Sequence, residues 1–189
     1  MKLIKIMKCD LYRVCGGGKN PLKHILFNPE FKYVACYRLT NYFLGHSALL
    51  KTVWRVILKS KSIKYGYEIA PECSIGPGLR LVHRGGVCIN PDAKIGINAT
   101  IFHGVTIGAT RRGSKKGSPV IGDRVWIGSN ATIVGNITVG DDVLIAPNTY
   151  INRDIPSHCI CLGNPAKMIE RADATEYYID NICENLEDD

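Results

Sequence analysis

Two histidines, His83 and His103, stand twenty residues apart in the middle of the chain. Imidazole takes up and returns a proton near neutral pH, so the histidines, these two together with His24, His46 and His158, are the first candidates for general acid–base work. Eight cysteines, at positions 9, 15, 36, 73, 88, 159, 161 and 183, show neither a Cys-x-x-Cys pair nor the paired Cys/His spacing of a zinc ligand set. No metal site is expected. Cys159-x-Cys161 is a weak signal that two packed thiols would explain.

What must position these residues is a period of six. Ile121, Ile127, Ile133, Val139, Ile145 and Ile151 follow one another at intervals of six, and four of them precede Gly or Ala. Small or branched residues (Val125, Ala131, Ile137, Val143, Thr149) sit four places after each of the first five. This period fits neither a helix nor a two-residue strand alternation, and it is the hexapeptide repeat of a parallel β-helix. Upstream, Ile69, Ile75, Leu81 and Val87 form one six-spaced set, and Ile89, Ile95, Ile101 and Ile107 form another, displaced by two residues. Ile121 lies fourteen residues after Ile107, one period plus an insertion of eight. The insertion falls near Thr110–Gly117, a basic loop carrying Arg111, Arg112, Lys115 and Lys116. Three hexapeptides close one triangular coil, so residues 69–151 predict roughly four coils rising about 4.8 Å each. Flat faces and open ends call for caps and for self-association, and a trimer is expected.

Composition adds an uneven charge to an ordinary apolar content of 46%. Residues 1–67 hold thirteen Lys/Arg against Asp10 and Glu30, whereas residues 170–189 hold eight Asp/Glu against Arg171. A solvated basic surface attracting an acidic tail explains this pattern. A surface for a polyanion or for peripheral contact with an anionic membrane is the sharper alternative. No nucleic-acid motif accompanies the charge, so nucleic acid is not expected as a partner. The lysine-interrupted start, Met1–Lys8, is no export segment, and no apolar run approaches the roughly eighteen residues that span a bilayer. Free thiols in a reducing cytoplasm follow as the expectation.

Residues before the repeats read as helical. Phe31–Leu44 carries Val34, Ala35, Leu39, Tyr42 and Phe43 near helical spacing, with Pro29 suited to a helix start. A second helix from Ala48 to about Ser60 places Leu49, Val53, Val56 and Ile57 on one packed face. Gly16-Gly17-Gly18 reads as a loop, and Ala172–Leu186 as a short acidic helix.

Three stretches make the chain resemble one family. They are Leu81-Val82-His83-Arg84-Gly85-Gly86, Ile101-Phe102-His103-Gly104-Val105-Thr106-Ile107-Gly108 and Gly163-Asn164-Pro165-Ala166-Lys167. With Pro29-Glu30-Phe31 and Tyr37-Arg38, they resemble the serine acetyltransferase family of hexapeptide-repeat acyltransferases. The resemblance implies a mainly β fold, a left-handed parallel β-helix behind an N-terminal α-helical segment. It divides the chain into a helical region (1–66), an acetyltransferase domain (67–169) and an acidic tail (170–189). It implies acetyl-CoA as acyl donor, His83 as the base that deprotonates an acceptor hydroxyl, and Glu68, where the family usually carries Asp, as the partner of that imidazole. Fifteen residues separate Glu68 from His83, nearly one coil, so adjacent placement is reasonable. His103 is implied as a site-lining residue. For coenzyme A the resemblance implies a groove between neighbouring β-helices. Gly108 and Ala109 would permit close approach there, and Arg111, Arg112, Lys115 or Lys116 would meet phosphate. Gly128 and Ala131 would follow the pantetheine, with Lys167 near the adenosine end.

The chain also departs from that family. Val82 stands where serine acetyltransferases carry Asp, Gly117-Ser118-Pro119 where they carry Arg-His-Pro, and Ala70 where they carry another His. A zwitterionic acceptor needs charged partners that a neutral polyol does not. The expectation is therefore an O-acetyltransferase acting on a sugar hydroxyl in surface-polysaccharide biosynthesis, with L-serine and cysteine biosynthesis as the alternative. A γ-type carbonic anhydrase would need histidine companions for His83 and His103 that are missing, and a non-catalytic β-helix scaffold is the alternative if His83 faces solvent.

Overall fold

The computed structural model describes residues 3–17 and 20–184. Gly18 of the glycine loop and residues 185–189 of the tail lie outside the described residues. Four helices come first: α1 (Leu3–Cys15), α2 (Pro21–Phe27), α3 (Pro29–Phe43) and α4 (Ala48–Tyr65). Local chemistry sets their starts. Side chains of Asn20, Asn28 and Ser47 accept from the backbone N–H groups of Leu22, Phe31 and Leu50, and Pro29 opens α3. Helix α4 runs past Ser60 and ends at Gly66 in the left-handed conformation, where a Cβ would lie 2.8 Å from Gly85 Cα.

The expected packed face of α4 is corrected. Leu49 and Val56 are 75% and 66% exposed, while Leu58 and Tyr65 are buried, and Trp54 and Ile57 pack against the core. Two aromatics and a leucine at helical spacing outcompete the smaller aliphatics for the face turned to α3 and the first coil.

Behind the helices, strands β1 (Tyr67–Ile69), β2 (Ser74–Ile75), β3 (Arg80–Val82), β4 (Val87–Ile89), β5 (Lys94–Ile95), β6 (Thr100–Phe102), β7 (Thr106–Gly108), β8 (Val120–Ile121), β9 (Trp126–Ile127), β10 (Thr132–Val134), β11 (Thr138–Val139), β12 (Val143–Ile145), β13 (Tyr150–Ile151), β14 (Cys159–Leu162) and β15 (Lys167–Glu170) wind into a parallel β-helix. Its three sheets are β1-β4-β7-β10-β13, β2-β5-β8-β11 and β3-β6-β9-β12-β14-β15, and only the β14–β15 pair is antiparallel. The repeat residues stack in register: Ile69, Ile89, Ile107, Ile133 and Ile151 on one side, Ile75, Ile95, Ile121 and Val139 on the next, Leu81, Ile101, Ile127, Ile145 and Cys161 on the third. The stack is about five coils, one more than expected, because Ile155, Cys159 and Cys161 continue the buried column after the six-residue spacing lapses.

Register also places both irregularities. Val82 pairs with Phe102 and Cys88 with Thr106, so the corner 83–86 uses four residues where 103–104 uses two. The two-residue displacement of the repeat is therefore an extension of the His83 corner. The eight-residue insertion leaves between β7 and β8 and is pinched shut by paired backbone hydrogen bonds of 3.0 Å between Thr110 and Gly117.

The helices cap the first coil and share its core: Tyr33, Val34, Tyr37, Leu58 and Tyr65 join the same cluster as the stacked isoleucines. A buried ion pair fastens them. Arg38 meets Asp10 through two hydrogen bonds (2.8 and 3.1 Å) and donates to the carbonyls of Ile75 and Gly76, while Asp10 accepts from Leu79 N. Tyr37 Oη donates to Cys73 O. Buried Arg13 donates to Gly78 O, Thr100 Oγ1 and the carbonyl of Asp180, and burial first of all lowers its pKa to about 10.

The tail is not the expected helix. Residues 172–184 run as turns, with Asp173, Tyr177 and Asn181 at positive φ. Buried Asp142 captures the N–H groups of Ala174 and Thr175 and the Thr175 hydroxyl, and it also meets His158 Nδ1 at 2.8 Å. Those bonds compete with helix formation. Cys183 is disulfide-bonded to Cys9, 174 residues away in sequence. The expectation of free thiols throughout is corrected for this pair, which no local spacing could reveal. Cys159 and Cys161 are packed in the last coil, where burial pushes the Cys161 thiol up to about 11. No described helix is long and apolar enough to cross a membrane.

Two outcomes follow. Asp10→Ala leaves Arg38 buried without its carboxylate and is expected to cost about 3–5 kcal/mol in urea denaturation. Burial opposes ionisation of Asp142, but hydrogen bonds from Thr175, His158 and Ala174 together hold its pKa below the ordinary carboxylate range. Its contribution is therefore complete above that range and lost as pH falls through the lowered value. The stability deficit of Asp142→Ala, about 1–3 kcal/mol at neutral pH, should shrink in denaturation curves recorded at successively lower pH below the ordinary carboxylate range.

Candidate active site

Strand β3 alternates: Leu81 points into the stack, and Arg80 and Val82 point out. The chain then leaves the sheet at His83, which adopts a left-handed φ of 59°. The carbonyl of His83 accepts a 2.9 Å hydrogen bond from buried Tyr67, and Gly85 O accepts from Gly104 N. The extended corner is thus tied to the coil below and to the helical cap, because Tyr67 packs on Tyr33 of α3.

The His83 ring is exposed and lies 5.7 Å, centroid to centroid, from that of His103. Phe102, Trp126 and Tyr178 continue the row of rings, in contacts of 6.0, 4.8 and 5.2 Å from His83 onwards. His103 Nδ1 is buried with no hydrogen-bond partner among the described residues, an unmet capacity beside the exposed imidazole. The structure therefore brings the two sequence-selected histidines together.

Glu68 sits elsewhere. It projects from the outer face of β1 into a groove of about 510 Å³ beneath α4, lined by Arg55, Lys59, Cys88, Asn90 and Gly108. No hydrogen bond joins it to His83 among the described residues, so the expected imidazole–carboxylate pair is not formed in the single chain. The long corner swings His83 towards Phe102 and His103, whereas Glu68 stays on the flat adjoining face.

The expected coenzyme A residues also divide. Gly108 lines the Glu68 groove, and Ala109, Arg111, Arg112 and Lys116 are exposed beyond it. Lys115 is bound to Asp154 at 2.7 Å, and its carbonyl accepts from Asn136 N. Lys167 is exposed on β15 at the far end of the stack. Gly128 and Ala131 do not present a ligand surface. Gly128 is buried with Pro147 N 2.7 Å from where a Cβ would stand. Ala131 is an inward residue whose N–H and C=O are both used inside the stack. Their smallness serves coil packing.

Beside His83 lies a second cavity, of about 260 Å³, whose wall includes Glu30, Asn28 and His24 from the helices and Arg80 and Val82 from β3. Glu30 and Arg80 carried no role in the sequence reading. The alternation of β3 places Arg80 on the same outward face as Val82, a signal that was available; the approach of Glu30 was not. Burial, followed by the nearby Glu30 carboxylate, raises the Tyr67 phenol well above its ordinary value. Among the described residues, no three His, Cys, Asp or Glu side chains gather as a metal site.

Comparison with known proteins fits this arrangement. The bacterial transferase hexapeptide (six repeats) family model matches residues 118–153, the rear coils alone. A serine acetyltransferase of Helicobacter pylori (strain ATCC 700392 / 26695) is 35% identical over 155 residues, covering 82% of this chain and 90% of its own length. The chain belongs to the serine acetyltransferase family. Among solved members of that family, the Neisseria gonorrhoeae enzyme in complex with serine superposes with a TM-score of 0.74 at 31% identity, over 88% of this chain and 69% of its own. A serine acetyltransferase in complex with CoA gives 0.76 at 26% identity, over 88% and 69%. The family likeness thus takes in the helical cap and the His83 corner, which the repeat match leaves out.

Proposed function

We propose that this member of the serine acetyltransferase family transfers an acetyl group from acetyl-CoA to the hydroxyl of L-serine, with His83 as general base. The observation that carries the reading is the exposed His83 imidazole, held at an extended corner between a small cavity and the row of rings that begins at His103. The family's relatives are acetyl-CoA-dependent acyltransferases named for serine, and they weigh for serine over the sugar that the sequence departures favoured.

In the reaction, His83 takes the hydroxyl proton as the oxygen attacks the thioester carbonyl. The tetrahedral intermediate collapses with cleavage of the C–S bond, and the imidazolium returns its proton to the departing thiolate. Coenzyme A lies along the groove past Gly108, with its phosphates near Arg111, Arg112 and Lys116 and its adenosine end towards Lys167. A neighbouring β-helix of a trimer closes that groove.

A second reading keeps the same chemistry and changes the acceptor. Val82, Ala70 and Ser118 stand where the family resemblance calls for ionisable groups, and their loss suits a neutral sugar hydroxyl.

His83→Ala is expected to lower kcat by about 10²–10⁴-fold while sedimentation still gives the trimeric mass; unchanged turnover would remove His83 from the chemistry. Assays of CoA release with L-serine and with a panel of free and nucleotide-linked sugars should give turnover with L-serine. Turnover with a sugar alone would replace the serine reading by the second one.

A further inference from the structure

We infer that Glu30 and Arg80 read the two charges of the acceptor, its ammonium and its carboxylate, in the cavity that His83 lines. The inference rests on the serine reading and explains how this chain could recognise a zwitterion despite Val82 and Ser118.

The two residues reach the cavity from different layers. Glu30 lies in the first turn of α3, just after the Asn28 cap and Pro29, and is half-buried. Arg80 opens β3 and points outward in register with Val82, two residues along the same strand. Both share one cavity wall with His83. At about 260 Å³ that cavity falls below the ~300–1,000 Å³ of drug-sized pockets, which suits a small acceptor.

Among the described residues Glu30 is uncommitted and Arg80 is only loosely held. The Glu30 carboxylate makes no hydrogen bond or ion pair among the described residues, though it stands close enough to raise the Tyr67 phenol. Among the described residues Arg80 has a single ion pair, to Asp180 at 3.7 Å, and Asp180 is itself 66% exposed. That pair is long, wetted and readily exchanged for a ligand carboxylate, which the guanidinium would hold through two parallel bonds. A free carboxylate and a loosely held guanidinium beside a general base form a complementary pair for an α-amino acid whose hydroxyl must face His83. A neutral sugar would use neither charge.

Asp180 then acts as a competitor. The tail carrying it is held down by the Cys9–Cys183 disulfide and by Arg13, which donates to the Asp180 carbonyl. Its carboxylate occupies the guanidinium that the acceptor needs.

The test uses the full chain and steady-state kinetics with acetyl-CoA. Glu30→Gln and Arg80→Gln are each expected to raise the KM for L-serine about 10- to 100-fold, leaving the KM for acetyl-CoA within about twofold of its original value. Matched acceptors assign each charge. The unmutated enzyme should prefer L-serine to L-serinamide, which lacks the carboxylate, and Arg80→Gln should lose that preference. It should likewise prefer L-serine to 3-hydroxypropanoate, which lacks the ammonium, and Glu30→Gln should lose that one. Asp180→Asn should lower the KM for L-serine. If a variant folds poorly, its apparent kcat falls with the active fraction and its circular dichroism departs from that of the unmutated chain, and Arg80→Lys, which keeps the charge but not the fork, supplies the second measurement. Serine turnover with an unchanged KM in both variants overturns the inference and leaves the serine reading standing. Absence of serine turnover in the unmutated enzyme sinks that reading, and this inference with it.

Discussion

An inward side chain of a β-helix is buried by the coil above it and the coil below it, so the first coil has no neighbour of its own kind. In this chain the open end is closed by helices, and the closure depends on Arg38 and Asp10 being buried together against the carbonyls of Ile75 and Gly76. Two charges leave water at this junction, a cost offset because each guanidinium nitrogen and each carboxylate oxygen finds a partner. Tyr37 packs beside the pair, and together with Tyr33 it carries the hydrophobic core from the helices into the stack. The helical region is therefore a lid on the solenoid rather than an independent unit.

That lid has consequences for chemistry. Docking α3 on the first coil sets Tyr67 under Tyr33, and Tyr67 in turn holds the carbonyl of His83. The same docking brings Asn28 and Glu30 to the edge of β3. The base, the cavity beside it and an acidic wall all follow from one packing event at the end of the stack. The corner itself supplies the rest: two additional residues relative to the next coil, with His83 in a left-handed conformation, lift the imidazole off the flat face where Glu68 remains.

The tail closes the molecule from the other side. Asp142 gathers the turn at Ala174–Thr175, Tyr178 extends the aromatic row on Trp126, and the Cys9–Cys183 bond joins the last described turn to α1. The basic front meets the acidic end at Arg13, which donates to the Asp180 backbone, while Arg80 of β3 pairs with the Asp180 carboxylate. Most of the remaining surface charge stays solvated.

Periodicity alone determined the β-helix, its coil axis, the place of the basic insertion and the displacement at His83, because a ladder in register repeats its inward residue at a fixed interval along the chain. The family resemblance added the two histidines, and they do stand together. What depended on distance through space was not legible. The fifth coil was missed because backbone pairing persisted after the aliphatic spacing lapsed at Ile151. The tail helix was misread because Asp142, thirty residues away, takes the amides that a helix would have used. Ala131 and Gly128 were assigned to a ligand because small residues look alike whether they line a groove or fill a coil. The separation of Glu68 from His83 and the arrival of Glu30 beside Arg80 were decided only by tertiary structure. Both arise where chain segments far apart in sequence pack at a corner, and no local pattern of residues encodes which way a side chain turns there.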